Sequence, residues 1–256
     1  MVLPHDEAGS GPAVVLLHPG VGDRRIRAEH LQPLADAGYR AIAFDLPGFG
    51  DAEIVPGPQA PWADVVLAMN ELGLERAALV GNSFGGGVAL RIAALAPGRV
   101  PALALVSAPA PGLVPSPELE AVWEAEEAAL DRGDVDAAVQ AVVDTWTLQD
   151  APPELREQIA AMQRRAIELQ TGVEATEARD PLEEDPDALA SIEAPTLVVA
   201  GARDMPDFIE GAEQMAAALP NARYALIEDA GHLAPLETPD EFRELLLGFL
   251  SRDARP

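Results

Sequence analysis

An α/β fold with a mostly parallel, twisted sheet flanked by helices is what the sequence predicts, and three observations carry that prediction. Short apolar, β-branched runs alternate with longer helical windows through the first 110 residues, the pattern of strand–helix–strand units. Glycine-rich turns sit where strands should hand over to helices. After a long helical stretch the strand–helix alternation resumes. The strands expected in order are Ala13–Leu17 (AVVLL) and residues 40–45, 77–80, 102–106, 196–200 and 223–227. The helices between them are expected at 28–37, 62–72, 84–96, 208–219 and 239–250. From 113 to 187 no strand signal appears; Ala/Glu-rich windows at Pro117–Asp131, Val135–Trp146 and Pro153–Gln170 predict three helices there. The expected organisation is a core of residues 1–111 and 188–256, interrupted by a helical lid of residues 112–187.

Composition removes several kinds of chemistry. The chain has 256 residues and no cysteine, which excludes thiolate catalysis, zinc–sulfur sites and disulfides. All 17 basic residues are arginine, so no Schiff-base or phosphate-loop lysine exists. A net charge of −26 gives a self-repelling surface that disfavours nucleic acid and anionic membranes as partners. Residues 1–11 lack the basic and apolar segments of a signal peptide, and no apolar run is long enough to span a bilayer. A cytoplasmic monomer or homodimer is the expectation.

The sharpest motif is Gly81-Asn82-Ser83-Phe84-Gly85, followed by Gly86 and Gly87, between an expected strand and an expected helix. A G-x-S-x-G segment there forms a tight turn that lifts the serine hydroxyl above the strand end, against the amides of the next helix. Composition alone predicts roughly 0.04 such matches in a chain of this make-up, so chance is a poor explanation. Ser83 is therefore the candidate nucleophile.

Five separated features give the chain a resemblance to the α/β-hydrolase superfamily along nearly its whole length. They are Leu16-Leu17-His18-Pro19-Gly20, Asp45-Leu46-Pro47-Gly48-Phe49-Gly50, the Ser83 motif, Gly201-Ala202-Arg203-Asp204, and Gly231-His232 with Glu237 and Pro239 beyond. The resemblance implies that family's fold, with a helical cap inserted after the sixth family strand. It also implies a catalytic triad of Ser83, His232 as base and Asp204 as the acid that orients it. Of the other histidines, His5 in a polar stretch and His30 on a presumed surface helix read as bystanders, and His18 as a shaper of the oxyanion loop. Asp207 competes with Asp204, whereas Asp229 stands too near His232 in sequence to reach around its ring. The loop of residues 107–117, where some relatives keep the acid, holds no carboxylate. The oxyanion donors implied are the amides of Phe84 and Gly20, with Val21 as the fallback because Pro19 has no N–H. Asp45 reads as scaffold of a turn, and Arg24 and Arg25 as surface residues.

A serine elbow argues against the dehalogenases and epoxide hydrolases of the superfamily, which use Asp there. It fits hydrolysis of an ester or lactone through an acyl-enzyme, with no cofactor and no metal. Cleavage of carbon–carbon bonds in ring-cleavage products is the alternative that Asn82 favours, since those enzymes often carry Gly-Asn-Ser. Cofactor-free haloperoxidase or perhydrolase chemistry, and a non-catalytic binding role, are further alternatives. A small apolar substrate is expected, in a pocket touched by Val21, Leu233, Trp123 and Trp146; Leu148, Met162 and the pair Arg164 and Arg165 are weaker candidates.

Overall fold

The computed structural model describes residues 3–185 and 188–253. The lid boundary expected at 187 and the ends of the expected core, residues 1–2 and 254–256, lie outside the described residues. The first half of the chain runs through β1 (His5–Ala8), β2 (Ala13–Leu17), α1 (Ala28–Asp36), β3 (Arg40–Phe44), β4 (Gly57–Gln59), α2 (Pro61–Glu71), β5 (Ala78–Asn82), α3 (Phe84–Leu95) and β6 (Leu103–Val106). Three long helices follow, α4 (Pro117–Asp131), α5 (Val135–Trp146) and α6 (Pro153–Gln170). The chain then forms β7 (Ala175–Glu177), α7 (Pro181–Glu184), β8 (Thr196–Gly201), α8 (Pro206–Ala218), β9 (Ala222–Ile227), α9 (Ala234–Glu237) and α10 (Pro239–Asp253).

Seven strands make the main sheet in the order β1-β3-β2-β5-β6-β8-β9, parallel throughout except for β1 against β3. Parallel strands are buried on both faces, which is why β2, β5, β6 and β8 read as unbroken apolar runs. Alternate side chains serve opposite layers. Val15, Leu17, Leu79, Leu103 and Val198 pack against residues of α2, α3 and α8, whereas Val14, Leu16, Val80, Ala104 and Val199 meet α1 and α10 through Leu34, Phe242 and Phe249.

Two expectations need correction. The stretch 113–187 does contain a strand, because β7 pairs in parallel with β4 as a separate two-stranded sheet. Both strands have three residues and no alternating apolar pattern, so their signal is tertiary rather than local. The expected strands also omitted β1, which begins at His5 and whose half-exposed, polar sequence suits an edge strand.

The helices α4, α5 and α6 carry a third apolar cluster, including Leu119, Val139, Val143, Ile159 and Met162. This cluster continues into the core through Val21, Ile26, Phe208 and Leu233, so the insertion is docked on the carboxyl side of the sheet. Ser116 and Asp134 cap α4 and α5 by accepting from the amides of Leu119 and Ala137, which fixes where those helices begin.

Candidate active site

From β2 the chain goes to one side to form β3 and returns on the other side to form β5, so the carboxyl ends of neighbouring β2 and β5 open a crevice. The loop of residues 18–22 leaves β2 at this point, and Ser83 leaves β5. Ser83 adopts φ 50° and ψ −120°, a conformation that costs a non-glycine residue energy and survives only when its surroundings impose it. The surroundings are tight. A Cβ on Gly81 would stand 2.2 Å from the Gly85 carbonyl oxygen, and one on Gly85 would stand 2.5 Å from that of His18. The Gly85 amide donates to His18 O at 3.1 Å, tying the two loops together.

His232 lies on the loop after β9 and Asp204 on the loop after β8. Both Asp204 oxygens are 3.0 Å from His232 Nδ1, and the two side chains are 4% and 1% exposed. A carboxylate at Nδ1 holds the N–H there and leaves Nε2 as the acceptor. The imidazole packs between Trp146 and Phe208, with ring centroids 4.4 and 4.5 Å away. Asn82 Nδ2 donates to the carbonyls of His232 (3.0 Å) and Val106 (3.2 Å), so the residue before the serine anchors the histidine loop. Glu237 accepts from Gly231 N (2.8 Å) and Leu148 N (3.2 Å), bridging that loop to the end of α5; burial pushes its carboxyl up. Asp207 is turned elsewhere, accepting from the amide and hydroxyl of Ser116, and Asp229 is exposed.

The amides expected to hold an oxyanion differ from their neighbours in their hydrogen bonding. Gly22, Ser83, Gly85 and Gly87 all donate to backbone carbonyls. Among the described residues, no protein acceptor is paired with the amides of Gly20, Val21 or Phe84. A Cβ on Gly20 would stand 3.6 Å from Phe84 Cβ, so the loop and the helix start adjoin there.

His18 is a neutral structural group. Its Nδ1 donates to Pro19 O (2.8 Å), its Nε2 accepts from Leu46 N (2.9 Å), and burial lowers it to about 4. His30 is not on a surface helix face as expected: it is buried, bonded to Pro235 O at 2.9 Å and set edge-on to Phe242. Arg24 is likewise less exposed than expected. It pairs with Asp6, Asp45 and Asp51, while Asp45 also accepts from the amides of Arg24 and Asp51 and so locks its turn. Arg25, paired with Asp23, is exposed.

A cavity of about 460 Å³ opens beside Phe84. Its wall is apolar at Pro47, Phe49, Ile54, Trp62, Val88 and Pro109, and polar at Gln59, Gln170, Arg91 and Asp180. The expected pocket residues sit elsewhere. Val21 and Leu233 are buried in the cluster that docks the insertion, and Trp123 is 44% exposed. Trp146 lines a smaller recess of about 190 Å³ around His232 and Asp204. Met162 is buried in the same docking cluster, and Leu148 lines that recess. Arg164 pairs with Asp136 at the surface, and Arg165 donates to Gly50 O. Arg91, Trp62 and Asp180 escaped the sequence reading. A signal for Arg91 was there: Phe84, Gly87, Val88 and Arg91 fall at i, i+3, i+4 and i+7 on one face of α3. Among the described residues, no group of three or more His, Asp or Glu side chains is placed to hold a metal ion, and no helix is long and apolar enough to cross a membrane.

A mostly parallel sheet that gathers serine, histidine and aspartate on loops at its carboxyl end describes an α/β hydrolase. The chain belongs to that family: the model of the alpha/beta hydrolase fold matches residues 12–239, and the chain is a hydrolase. It is similar to the 2-hydroxy-6-oxo-6-phenylhexa-2,4-dienoate hydrolase of Comamonas testosteroni, with 29% identity over 96% of this chain and 90% of that one. Among solved structures it is similar to a thermophilic esterase from Thermogutta terrifontis, at 27% identity and a TM-score of 0.81 over 99% of this chain and 94% of that one. It is also similar to the enol-lactonase of Burkholderia xenovorans LB400, at 25% identity and a TM-score of 0.81 over 98% and 96% of the two chains.

Proposed function

We propose that the protein is a serine hydrolase that cleaves a carboxylic ester or lactone of a small, largely apolar substrate through an acyl-enzyme on Ser83. The observation that carries this reading is the buried His232–Asp204 pair on a loop bonded to Asn82, the residue before a serine held in a strained turn. His232 takes the Ser83 proton as Oγ attacks the carbonyl, and the resulting oxyanion accepts from the amides of Phe84 and Gly20. Collapse expels the alcohol oxygen, which takes the proton from His232. Water, deprotonated by the same base, then releases the acid. Asp204 fixes the tautomer and balances the imidazolium. Residues 112–187 act as the cap over the crevice, and the substrate lies in the cavity beside Phe84.

Carbon–carbon bond hydrolysis is the second reading, supported by Asn82 and by a relative named as a dienoate hydrolase. It ranks below the first because the one cationic side chain on the cavity wall, Arg91, already has a carboxylate partner.

Labelling with a fluorophosphonate probe, compared between wild type and Ser83→Ala, tests the nucleophile. Labelling of the wild type alone is expected, together with turnover of aryl and alkyl esters or lactones in a graded series. A folded wild type that is neither labelled nor active would point to a binding protein instead.

A further inference from the structure

The wall of the 460 Å³ cavity is mostly apolar, with a polar part that includes Arg91, Asp180 and Gln59. Arg91 donates from Nε to Asp180 Oδ1 (3.1 Å), from Nη2 to Asp180 Oδ2, and from Nη1 to Gly87 O (2.9 Å). Its guanidinium also lies 5.7 Å from the Trp62 ring centroid. A guanidinium has five N–H groups, so one on each Nη is left without a protein acceptor among these bonds. Asp180 cancels the charge but not the donor capacity. Gln59 spends both amide hydrogens on the carbonyls of Val55 and Gly57, and its carbonyl oxygen is the group it has left to offer. This part of the wall is therefore a set of donors and acceptors with no net charge.

We propose that the Arg91–Asp180 pair makes the cavity select substrates whose far end is polar but uncharged, such as a hydroxyl or carboxamide, over substrates ending in a carboxylate. The proposal rests on the reading of Ser83 as nucleophile and names the substrate class for that site. A carboxylate brought to Arg91 meets a cation that is already compensated, sits beside a like charge on Asp180, and loses its hydration in a mostly apolar chamber. A carboxamide or hydroxyl loses far less on desolvation and finds both a donor and an acceptor. Arg91 follows Ser83 by eight residues on α3 but reaches back one turn to Gly87, so its guanidinium lies about 6 to 12 Å along the helix axis from the serine. That span suits an acyl chain of roughly five to ten atoms between the carbonyl and the polar end.

The test is a set of esters sharing one leaving group and one acyl length, ending in methyl, carboxamide or carboxylate, with kcat/KM measured for each. Wild type is expected to prefer the carboxamide over the carboxylate by at least about tenfold. Asp180→Asn leaves Arg91 uncompensated, and it should shift that ratio toward the carboxylate by about tenfold or more. Asparagine caps helices as aspartate does, so the bond from Leu182 N that begins α7 is retained. Arg91→Met should erase the advantage of the carboxamide over the methyl ester. A wild type that turns over the carboxylate as fast as the carboxamide, or a ratio unmoved by Asp180→Asn, would overturn the proposal. Turnover of the methyl ester and fluorophosphonate labelling report separately on Ser83: if both occur with a flat preference, only the selectivity fails. If neither occurs, both readings fail together.

Discussion

Two sides of Ser83 are built on different principles. On one side His232 is fixed from every direction: by Asp204, by the aromatic faces of Trp146 and Phe208, and by the Asn82 and Glu237 bonds that hold its loop. On the other side Phe84 opens onto a cavity whose wall is drawn from the turn after β3, from α2 and α3, and from the tail of the helical insertion. The proton transfer proposed for the histidine side leaves it little room for adjustment, because such a step needs atoms held to fractions of an ångström. The cavity side has only to admit a shape and a charge pattern, and its polar wall is supplied partly by segments that carry little structural signal of their own. The difference suggests that substrate choice can change on this chassis while the reacting groups stay where they are.

The comparison is most sharply tested at the acid. Asp204→Asn should lower kcat by about 10³- to 10⁴-fold with the fold intact, whereas Asp207→Asn, three residues on, should leave kcat within a few-fold. Equal effects in steady-state kinetics would mean the rigid side is not organised as described. Next come the two tryptophans of the insertion. Trp146→Ala should cost about 3 to 5 kcal/mol in denaturant unfolding and depress kcat through the loosened imidazole, because that ring is buried against Phe208 and His232. Trp123→Ala, at an exposed position, should stay within about 0.5 kcal/mol. Asn82→Ala leaves the buried His232 carbonyl without its donor, while Val106 O keeps the Ser83 amide, so a stability loss of about 1 to 3 kcal/mol is expected, with a fall in kcat and little change in KM. A variant with unchanged kcat would show that the loop needs no such anchor.

A separate effect, outside the two sides of Ser83, concerns pH. His18 and His30 are each held near 4, chiefly by burial, against an ordinary value of 6.5. The unfolded chain takes up these protons below 6.5 while the native protein refuses them until about 4, so unfolding becomes easier as pH falls through that window. The slope should approach about 1.4 kcal/mol per pH unit for each histidine. Thermal unfolding from pH 7 to 4 measures it, and His18→Asn should flatten the curve.

Much of this was legible in the sequence because it is written in local chemistry. Unbroken apolar runs announced the parallel strands, and Ala/Glu-rich windows announced the helices of the insertion. The glycines around Ser83 announced the elbow, since only a missing Cβ permits those approaches. What escaped detection depends on contacts between distant segments. The three-residue strands β4 and β7 exist only because they meet. His30 is buried by α10, more than two hundred residues later. Val21 and Leu233 read as pocket residues because they stand beside the expected catalytic positions, and Trp146 because it lies on a helix of the expected lid, but these side chains became part of the cluster that joins insertion and core.

By itself, then, the sequence determined the central strands, the long helices and the serine turn, because periodicity and turn chemistry act over a few residues, while His232 and Asp204 came from the family resemblance with Asp207 still competing. Only the tertiary structure decided which carboxylate faces the histidine, which amides are left open and where the cavity lies. It alone brought Asp180 across to neutralise Arg91, 89 positions away. Those outcomes depend on how packed layers place side chains that are far apart in the chain, and no local pattern encodes such distances.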